Sequence, residues 1–538
     1  MKISIRNASC GFALLWLAGL CPSCASRASQ LESRSPAAPA THARPAPPPA
    51  TRPPAPGVHL PPRPSAVPEP PETCSAFVTP ANETPESEAC STPEEARAAL
   101  ASALGLEDGV KRDAALRSLE SCTTFLPGLL RALRAELVPR VCADALVEPT
   151  LLNRSHRPRK DLEDALLGLS TAARLSRLVR QAPSFERPYD KQRFNAFFSE
   201  RLVPWIRAEA QAIEELARFG SRLSGYGRGV AAIAAGLADM RFVEVVRAVR
   251  LPDELKRDDE LSNTYYASLD QALEPRKARG RDAALAGLRE FAVEGILHDA
   301  RLSEAHTLLS TLYAGRRIDG LQGLLLPSAP PPAPASVEQT LAAELPTFYA
   351  GLLLAHVDAT DPAFLAVLRG RGVPRAMRAQ LEAAPLSEKA REIYARALLE
   401  LGQRYWRAED FRRSGEVARL GTGAVSDARR LIAAIAQAMS QGPRDAADMM
   451  LRGAFARSAP DVTALDELAR SAGDVPAMAA YDAAYLLSLN PARDSAPQFF
   501  TELARRYRQA AKQLPDLAQR KLASENAKAA EQTARATR

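Results

Sequence analysis

The sequence Leu398-Leu-Glu-Leu-Gly-Gln-Arg-Tyr-Trp-Arg-Ala-Glu-Asp-Phe-Arg-Arg-Ser414 carries the clearest structural pattern in the chain. Large apolar or aromatic residues and small residues recur in it at helical spacings. The residues that define the pattern are Leu398, Leu401, Gly402, Tyr405, Asp410, Phe411 and Ser414. Residues three or four apart share one face of a helix. The spacings therefore predict helical structure in this stretch.

These spacings resemble those of a tetratricopeptide repeat, in which small and large positions interlock two antiparallel helices. Weaker patterns of the same kind occur around Phe242, Leu302 and Val475. Phe242 and Leu302 lie 60 positions apart, and Phe411 and Val475 lie 64 apart, both a little short of two repeats of about 34 residues. The resemblance implies a degenerate array of helix pairs, and an ordinary irregular helical bundle is the alternative.

A second resemblance lies nearer the N-terminus. Residues 110–119 and 140–148 align with an offset of 30 positions, and the intervening residues 125–133 read Phe-Leu-Pro-Gly-Leu-Leu-Arg-Ala-Leu. A Leu-Pro-x-Leu-Leu helix followed by a helix that begins with Val or Arg resembles a HEAT repeat. This resemblance also implies stacked helix pairs.

The composition favours helices throughout the body of the chain. Aromatic residues make up only 6% of the sequence, whereas hydrophobic residues reach 46% and charged residues 25%. Ala, Leu and Arg dominate the second half, and these three rank at the top of helix propensity. A chain of 538 residues is too long for one compact core. The composition therefore predicts an all-α fold, and the two resemblances imply that it is an irregular α-solenoid of antiparallel helix pairs.

Proline is concentrated in two stretches. The chain contains 43 prolines, and residues 31–72 consist mainly of Pro, Ala, Arg and Ser. Such a sequence favours extended polyproline II at about 3.1 Å per residue, so 40 residues would reach roughly 120 Å. We predict a disordered Pro-rich tether over residues 26–72, with a PxxP ligand for an SH3-like domain as the alternative. The second stretch predicts a linker at residues 327–336.

These stretches divide the rest of the chain into predicted regions. Residues 73–326 are predicted to form a helical repeat block crosslinked by disulfides. Residues 337–515 are predicted to form a helical block that resembles a tetratricopeptide array. Residues 516–538 have helical propensity but almost no apolar face. We predict that they form a polar tail that frays.

Residues 1–25 have the features of an export signal. Lys2 and Arg6 precede an apolar run at residues 10–20, and small residues follow. The run is too short to span a membrane, so it predicts a secretory signal and a periplasmic, outer-membrane or cell-surface location. The segment also resembles a bacterial lipoprotein signal, which implies lipidation of Cys24 or Cys21. The alternative is a soluble exported protein that loses both cysteines with the signal.

Cysteine usage supports an oxidising compartment independently. Outside the signal region, all cysteines cluster in one stretch, as Cys74, Cys90, Cys122 and Cys142. A helical hairpin between Cys90 and Cys122 would bring these two to the same end, and Cys74 would then pair with Cys142. Pairing of Cys122 with Cys142 stays open as a less favourable alternative, because a helix of about 14 residues, roughly 20 Å long, is expected between them. A zinc site is the alternative, although the four contain no C-x-x-C pair.

Few residues suggest catalysis or metal binding. His298, Asp299 and His306 could share a helix face, and residues 356–361 read His-Val-Asp-Ala-Thr-Asp, but neither group offers a full ligand set. Gly225-Tyr-Gly-Arg-Gly229 resembles a phosphate-binding loop without the preceding strand or the Gly-Lys-Ser/Thr ending, so a flexible turn between helices is preferred. We predict no catalytic residue, no metal and no cofactor.

The charge distribution argues against a nucleic-acid partner. The 70 basic and 63 acidic residues give a net charge of only +7, and arginine pairs such as Arg429-Arg430 and Arg505-Arg506 are scattered. A nucleic-acid binder concentrates its basic charge on one face or arm. We interpret these pairs as solvated helix faces.

Export, a tether and helix pairs together predict a scaffold of the cell envelope that binds another envelope protein or peptide through its helical surface. One alternative is an envelope enzyme that acts on cell-wall material in a helical cleft. Another is a structural spacer or assembly factor without a ligand. The sequence favours the scaffold over the enzyme because no catalytic motif is evident in it.

Overall fold

The structure is a computed structural model that describes residues 59–78, 90–153, 157–180, 182–312, 333–405, 407–421, 497–514 and 517–536, with a few positions between 425 and 436. Throughout these residues the regular structure is helical, without a strand. The prediction of an all-α fold is confirmed for this part of the chain.

The helices before residue 333 are α1 (Pro93–Leu104), α2 (Gly109–Ser118), α3 (Leu129–Leu137), α4 (Ala143–Leu152), α5 (Lys160–Arg177), α6 (Lys191–Phe197), α7 (Val203–Gly220), α8 (Gly225–Arg247), α9 (Asp253–Lys256), α10 (Asp259–Glu294) and α11 (Ala300–Leu312). Those after it are α12 (Val337–Glu344), α13 (Thr347–Leu353), α14 (Pro362–Leu368), α15 (Arg375–Ala383), α16 (Glu388–Tyr405), α17 (Ala408–Arg419), α18 (Pro497–Gln513) and α19 (Leu517–Ala536). Short 3₁₀ helices occupy Glu72–Ala76 and Arg140–Cys142.

Polar side chains fix many of the helix N-termini. Thr92 accepts a hydrogen bond of 3.2 Å from the amide of Glu95, and Pro93 occupies the first turn of α1, where a missing N–H is tolerated. Aspartates cap four further helices, α2, α6, α10 and α14, through Asp108, Asp190, Asp258 and Asp361. These helix starts are therefore encoded by residues next to them in sequence.

The centre of the fold is built around α8, which approaches α5 and α10 closely at glycines. Gly168 on α5 lies against the backbone of Gly227 on α8. On α8, a Cβ added at Gly236 would stand 2.8 Å from the carbonyl oxygen of Gly280 on α10. The preferred prediction of a flexible turn at Gly225–Gly229 is wrong. These residues form the first turn of α8. The missing side chain of Gly227 lets α8 approach α5 at Asp164, and that of Gly229 leaves room for the ring of Phe291 on α10.

Residues beyond 333 pack directly on the first helical block. Tyr349 of α13 donates a hydrogen bond of 2.8 Å to Glu136 of α3. The amides of Leu297 and His298 donate to the carbonyl oxygen of Arg371 at 2.8 and 3.0 Å. The two predicted blocks are therefore joined by packing and hydrogen bonds. Most of the predicted linker at residues 327–336 lies outside the described residues.

The stretch with the clearest sequence pattern forms the predicted hairpin, α16 and α17. The ring of Phe411 on α17 covers Gly402 on α16, where an added Cβ would lie 2.7 Å from the ring. Ser414 donates a hydrogen bond of 2.7 Å from Oγ to the carbonyl oxygen of Ala395. The two helices are antiparallel, because later residues of α17 meet earlier residues of α16. The other pattern residues are buried as well, namely Leu398, Leu401, Tyr405 and Asp410.

The C-terminal residues form another helical hairpin. Tyr507 and Ala510 on α18 and Ala523 and Ala527 on α19 are buried where the two helices pack together. Alanine favours helices and allows close approach. The prediction of a fraying tail at residues 516–538 is therefore not met between 517 and 536, because the apolar face of α19 consists of alanines rather than large side chains.

Candidate functional site

The end of the predicted tether lies along the groove between α4 and α5. We call residues 59–78 the root segment. Pro61 is buried, and several neighbours pack against the core, namely Leu60, Ala66, Val67 and Phe77. The segment turns once before its 3₁₀ helix, where the amide of Val67 donates to the carbonyl oxygen of Pro64 at 2.9 Å. The prediction of a disordered tether is wrong for residues 59–72, because the groove binds their backbone.

Arg174 on α5 holds the first part of the root segment. Its Nη1 donates to the carbonyl oxygens of Pro61 and Pro62, the latter at 2.7 Å. Its Nη2 donates to the carboxylate of Glu148 on α4. The Arg174 side chain is only 1% exposed. These acceptors therefore replace the water that would otherwise solvate the guanidinium.

Arg177, three residues further along α5, holds the second part. Its Nε donates to the carbonyl oxygen of Pro68 at 2.9 Å. Its two terminal nitrogens donate to the two carboxylate oxygens of Asp144 on α4 at 2.7 and 2.5 Å. Bidentate pairing fixes the plane of the guanidinium. Asp144 thus aims the remaining Nε–H at the root segment.

Arg63 of the root segment completes the network from the outer side of the groove. Its Nη2 donates to Glu148 at 2.8 Å, and Ser170 of α5 donates to the other carboxylate oxygen of Glu148 at 2.8 Å. Arg63, Arg174 and Arg177 carry three positive charges against two negative charges on the carboxylates. The proline carbonyl dipoles face this excess of one positive charge.

Burial and pairing set the ionisation of the network. Burial lowers the pKa of the Arg174 guanidinium, and the carboxylates of Glu148 and Asp144 offset part of this effect. The hydrogen bond to Glu148 raises the pKa of Arg63. An arginine side chain remains protonated in proteins despite such shifts. The groove therefore keeps its hydrogen-bond donors across the physiological pH range.

Two disulfides flank this region. Cys74 of the root segment is bonded to Cys142, immediately before α4, and Cys90 is bonded to Cys122, with a Cα–Cα distance of 5.2 Å in each pair. The pairing is the nested one that the hairpin predicts. The Cys74–Cys142 disulfide ties the root segment covalently to the helix that supplies Asp144 and Glu148.

A second buried polar cluster joins the two helical blocks. The Tyr226 hydroxyl lies 2.7 Å from Glu136 and 2.9 Å from Asp299. Tyr349 and Arg301 donate to Glu136 at 2.8 and 3.0 Å. Burial raises the pKa of both tyrosines well above the usual value, so both keep their protons. Because these groups bind one another, the cluster acts as a crosslink within the fold.

A cavity of about 580 Å³ lies beside the Cys90–Cys122 disulfide. Its walls come from the α2–α3 connection, the start of α3 and the end of α4. Its size suits a small molecule. Glu120 is the one carboxylate among its lining residues, and Arg131 and Arg134 both donate to it, the Nε of Arg131 at 3.1 Å. The cavity thus lacks the convergent carboxylates that the enzyme alternative requires.

The side chains of the histidine groups singled out in the sequence are described only in part, and those described lie in different surroundings. Asp299 belongs to the buried cluster, burial lowers the pKa of His298, and the side chain of His306 lies outside the described part of the chain. His356 pairs with Arg97 at 2.8 Å, and Asp361 caps α14. Among the described residues, no three potential ligands are placed to hold a metal ion.

The arginine pairs differ in their surroundings. Arg505 is exposed, as predicted for a solvated helix face. Arg429 is 1% exposed, donates from Nε to the carbonyl oxygen of Ala418 at 3.0 Å and pairs with Glu388. The prediction of a solvated face is therefore wrong for Arg429, which binds the C-terminal end of α17.

The signal segment, with Cys21 and Cys24, lies outside the described residues, so its lipidation stays a prediction. In the part of the chain that the structure describes, no helix has both the length and the apolar character needed to cross a membrane.

Arg174 and Arg177 are not among the residues predicted from the sequence, although their spacing carries a signal. They stand three positions apart on a helix that is otherwise largely apolar, and Asp144 and Glu148 stand four apart on the preceding helix. Such opposite pairs at helical spacing on neighbouring apolar helices predict a buried ion network. Nothing in the sequence indicates which backbone carbonyl groups these arginines bind.

No protein-family model, curated protein or solved structure matches the chain. Its function therefore has to be inferred from its own residues.

Proposed function

We propose that the chain is an exported scaffold protein of a bacterial cell envelope, carried on a proline-rich tether and binding another protein through a surface of stacked helix pairs. The root segment is the observation that carries this proposal. Arg174, Arg177 and the Cys74–Cys142 disulfide fix the inner end of the tether to the helical body. Residues 26–58, if extended, would then hold the body roughly 100 Å from an anchor.

Two features support export. Residues 1–25 have the basic, apolar and small-residue order of a secretory signal. The two disulfides belong to an oxidising compartment. In a lipid-anchored form Cys24 or Cys21 carries the lipid, and a stable anchor needs the further acyl chains of the lipoprotein pathway. Cleavage without lipidation gives a soluble form.

The helical body supports binding over catalysis. The hairpin of α16 and α17 has the spacings of a tetratricopeptide repeat, and a solenoid of such pairs offers a continuous surface for a peptide or domain. Glu120 in the cavity is neutralised by arginines, whereas hydrolysis of cell-wall glycans uses a pair of carboxyl groups. A spacer without a ligand is the second candidate function, because a tether fixed to the body would suit a spacer as well as a scaffold.

Export is tested by fusing residues 1–28 to a phosphatase that becomes active only after its own disulfides form. We expect activity, and loss of activity when Leu15→Arg interrupts the apolar run. An inactive fusion would contradict export. Incorporation of labelled palmitate into the full chain, compared between Cys24→Ser and Cys21→Ser, decides whether lipid is attached and to which cysteine.

Partner binding is tested with residues 59–538 as bait in envelope extract, since a bait that begins after the root segment would leave Arg174 and Arg177 without the proline carbonyl groups that they bind. We expect a stoichiometric partner that is lost with Arg412→Glu on the outer face of α17, where the arginine side chain is 66% exposed. Arg218→Glu on α7, 61% exposed, is the matched control. Absence of any stoichiometric partner would favour the spacer.

A further inference from the structure

The groove binds its occupant through main-chain atoms. Arginines of the helical body donate to five carbonyl oxygens of the root segment, those of Pro61, Pro62, Pro68, Ala76 and Phe77. Within the groove, Arg174 and Arg177 bind the three prolines. Arg117 on α2 and Arg134 on α3 bind Ala76 and Phe77, where the segment has left the groove. The side chain of Arg63 adds an ion pair with Glu148.

A proline-rich chain and a row of guanidinium groups are chemically complementary. Proline has a carbonyl acceptor but no N–H donor, and its fixed φ keeps the chain extended before it binds. Arginine has five donors and no acceptor. An extended chain with prolines at positions equivalent to 61, 62 and 68 therefore brings carbonyl acceptors to Arg174 and Arg177. Its prolines add no N–H group that would need an acceptor in the groove.

The donors are held in place independently of the occupant. Asp144 pairs with Arg177 and Glu148 pairs with Arg174, and all four side chains are nearly buried. These pairings come from α4 and α5, which belong to the folded body. A site whose donors are oriented before binding loses little conformational freedom when it is filled.

We propose that the groove between α4 and α5 is a binding site for an extended, proline-rich main chain, which the root segment occupies in cis. Recognition is by backbone carbonyl groups, so it depends on the extended, proline-rich backbone more than on side-chain identity. The Cys74–Cys142 disulfide makes the cis occupant permanent, and without that bond a peptide of the same kind competes for the groove. This proposal does not depend on the proposed scaffold function.

The test uses the full chain with Cys74→Ser, Cys142→Ser and a site-specific protease sequence placed between residues 79 and 89. The protein is folded, then cut, so that the root segment is held by the groove alone. A fluorescent peptide of residues 59–78, with Ser in place of Cys74, is the probe. We expect the cut root segment to stay bound through gel filtration and the labelled peptide to replace it in a saturable manner.

Two altered peptides test how the groove recognises its ligand. A thioamide at the Pro68 carbonyl weakens the acceptor for Arg177, so we expect affinity to fall by about tenfold, the effect of a lost charged hydrogen bond. A Pro68→Ala peptide keeps that carbonyl and should lose no more than about fivefold, from added flexibility. A cut segment that is released and does not rebind, or equal binding of the thioamide peptide, would overturn the proposal.

Discussion

The Nε of Arg177 donates a hydrogen bond of 2.9 Å to the carbonyl oxygen of Pro68, which lies 109 residues earlier in the chain. This bond joins a central helix to a segment whose composition predicts disorder. It is directed by Asp144, which holds the rest of the guanidinium in place. Oriented buried arginines thus make the end of the tether part of the folded body.

Replacing Arg177 with alanine should lower the free energy of unfolding by about 3–5 kcal/mol, because Asp144 is then a buried carboxylate without its bidentate partner. Urea unfolding of the full chain measures the change. Arg218→Ala, which removes an exposed pair with Glu214 on α7, is the control and should cost less than about 1 kcal/mol. Equal, small losses in both variants would show that the buried network contributes little.

Gly402→Ala should destabilise the chain by about 1–3 kcal/mol, because its Cβ would meet the ring of Phe411 at 2.7 Å. Gly415→Ala on α17 is the matched control. Its Cβ would lie 3.5 Å from Ala436, an ordinary contact, and alanine favours the helix by about 1 kcal/mol. We expect opposite shifts of the urea midpoint, and a neutral Gly402→Ala would argue against close packing of the hairpin.

Tyr349→Phe should cost about 1–3 kcal/mol, because the hydroxyl that donates to Glu136 at 2.8 Å is lost inside a buried cluster. Tyr394→Phe serves as the comparison, since its hydroxyl lies 3.5 Å from Glu382 and makes a weak bond. Thermal unfolding of both variants should show the larger drop for Tyr349→Phe. The reverse order would mean that the cluster does not join the two blocks.

Asp410 on α17 should make stability depend on pH. Burial raises its pKa to about 6, and Arg407 and Arg378, 3.6 and 3.7 Å away, offset part of the effect. An unfolded Asp titrates near pH 4. Between about pH 4 and 6 the folded state therefore binds more protons than the unfolded state. The stabilisation that comes from the protonated Asp410 is fully present below about pH 4 and is lost as pH rises through 6.

The side chain introduced by Asp410→Asn cannot ionise. The free energy of unfolding of this variant, relative to that of the unmodified chain, should therefore rise by about 2 kcal/mol between pH 4.5 and 7.5. Urea unfolding at the two pH values measures this difference. Glu409→Gln alters the adjacent, 69% exposed carboxylate, whose charge adds the smallest part to the raised pKa of Asp410, so it should show a much smaller rise. A parallel pH dependence in all three proteins would exclude Asp410 as the source.

The hairpin of α16 and α17 could be predicted from sequence because its contacts are local. Gly402 and Phe411 are nine positions apart, and a small residue opposite a large one leaves a recognisable spacing. The pairing of Cys90 with Cys122 follows similarly, since one short hairpin separates them. In both cases a short connection joins consecutive helices, so the residues that meet are near in sequence.

The root segment could not be predicted in this way. Arg174 meets Pro61 across 113 positions, and its acceptor is a carbonyl group that every residue possesses. The same holds for the crossing of α5 and α8, where Gly168 and Gly227 permit contact but do not encode which helices meet. The packing of α19 could not be predicted because its buried face is alanine, which resembles an ordinary exposed position in sequence.

The most direct measurement is trimming of the full, oxidised chain with a non-specific protease, followed by mass spectrometry of the resistant fragment. If the root segment is docked, the N-terminus of that fragment should lie close to residue 59, with residues 59–72 retained. Trimming that continues to residue 73 or beyond would show that the groove between α4 and α5 does not hold the end of the tether.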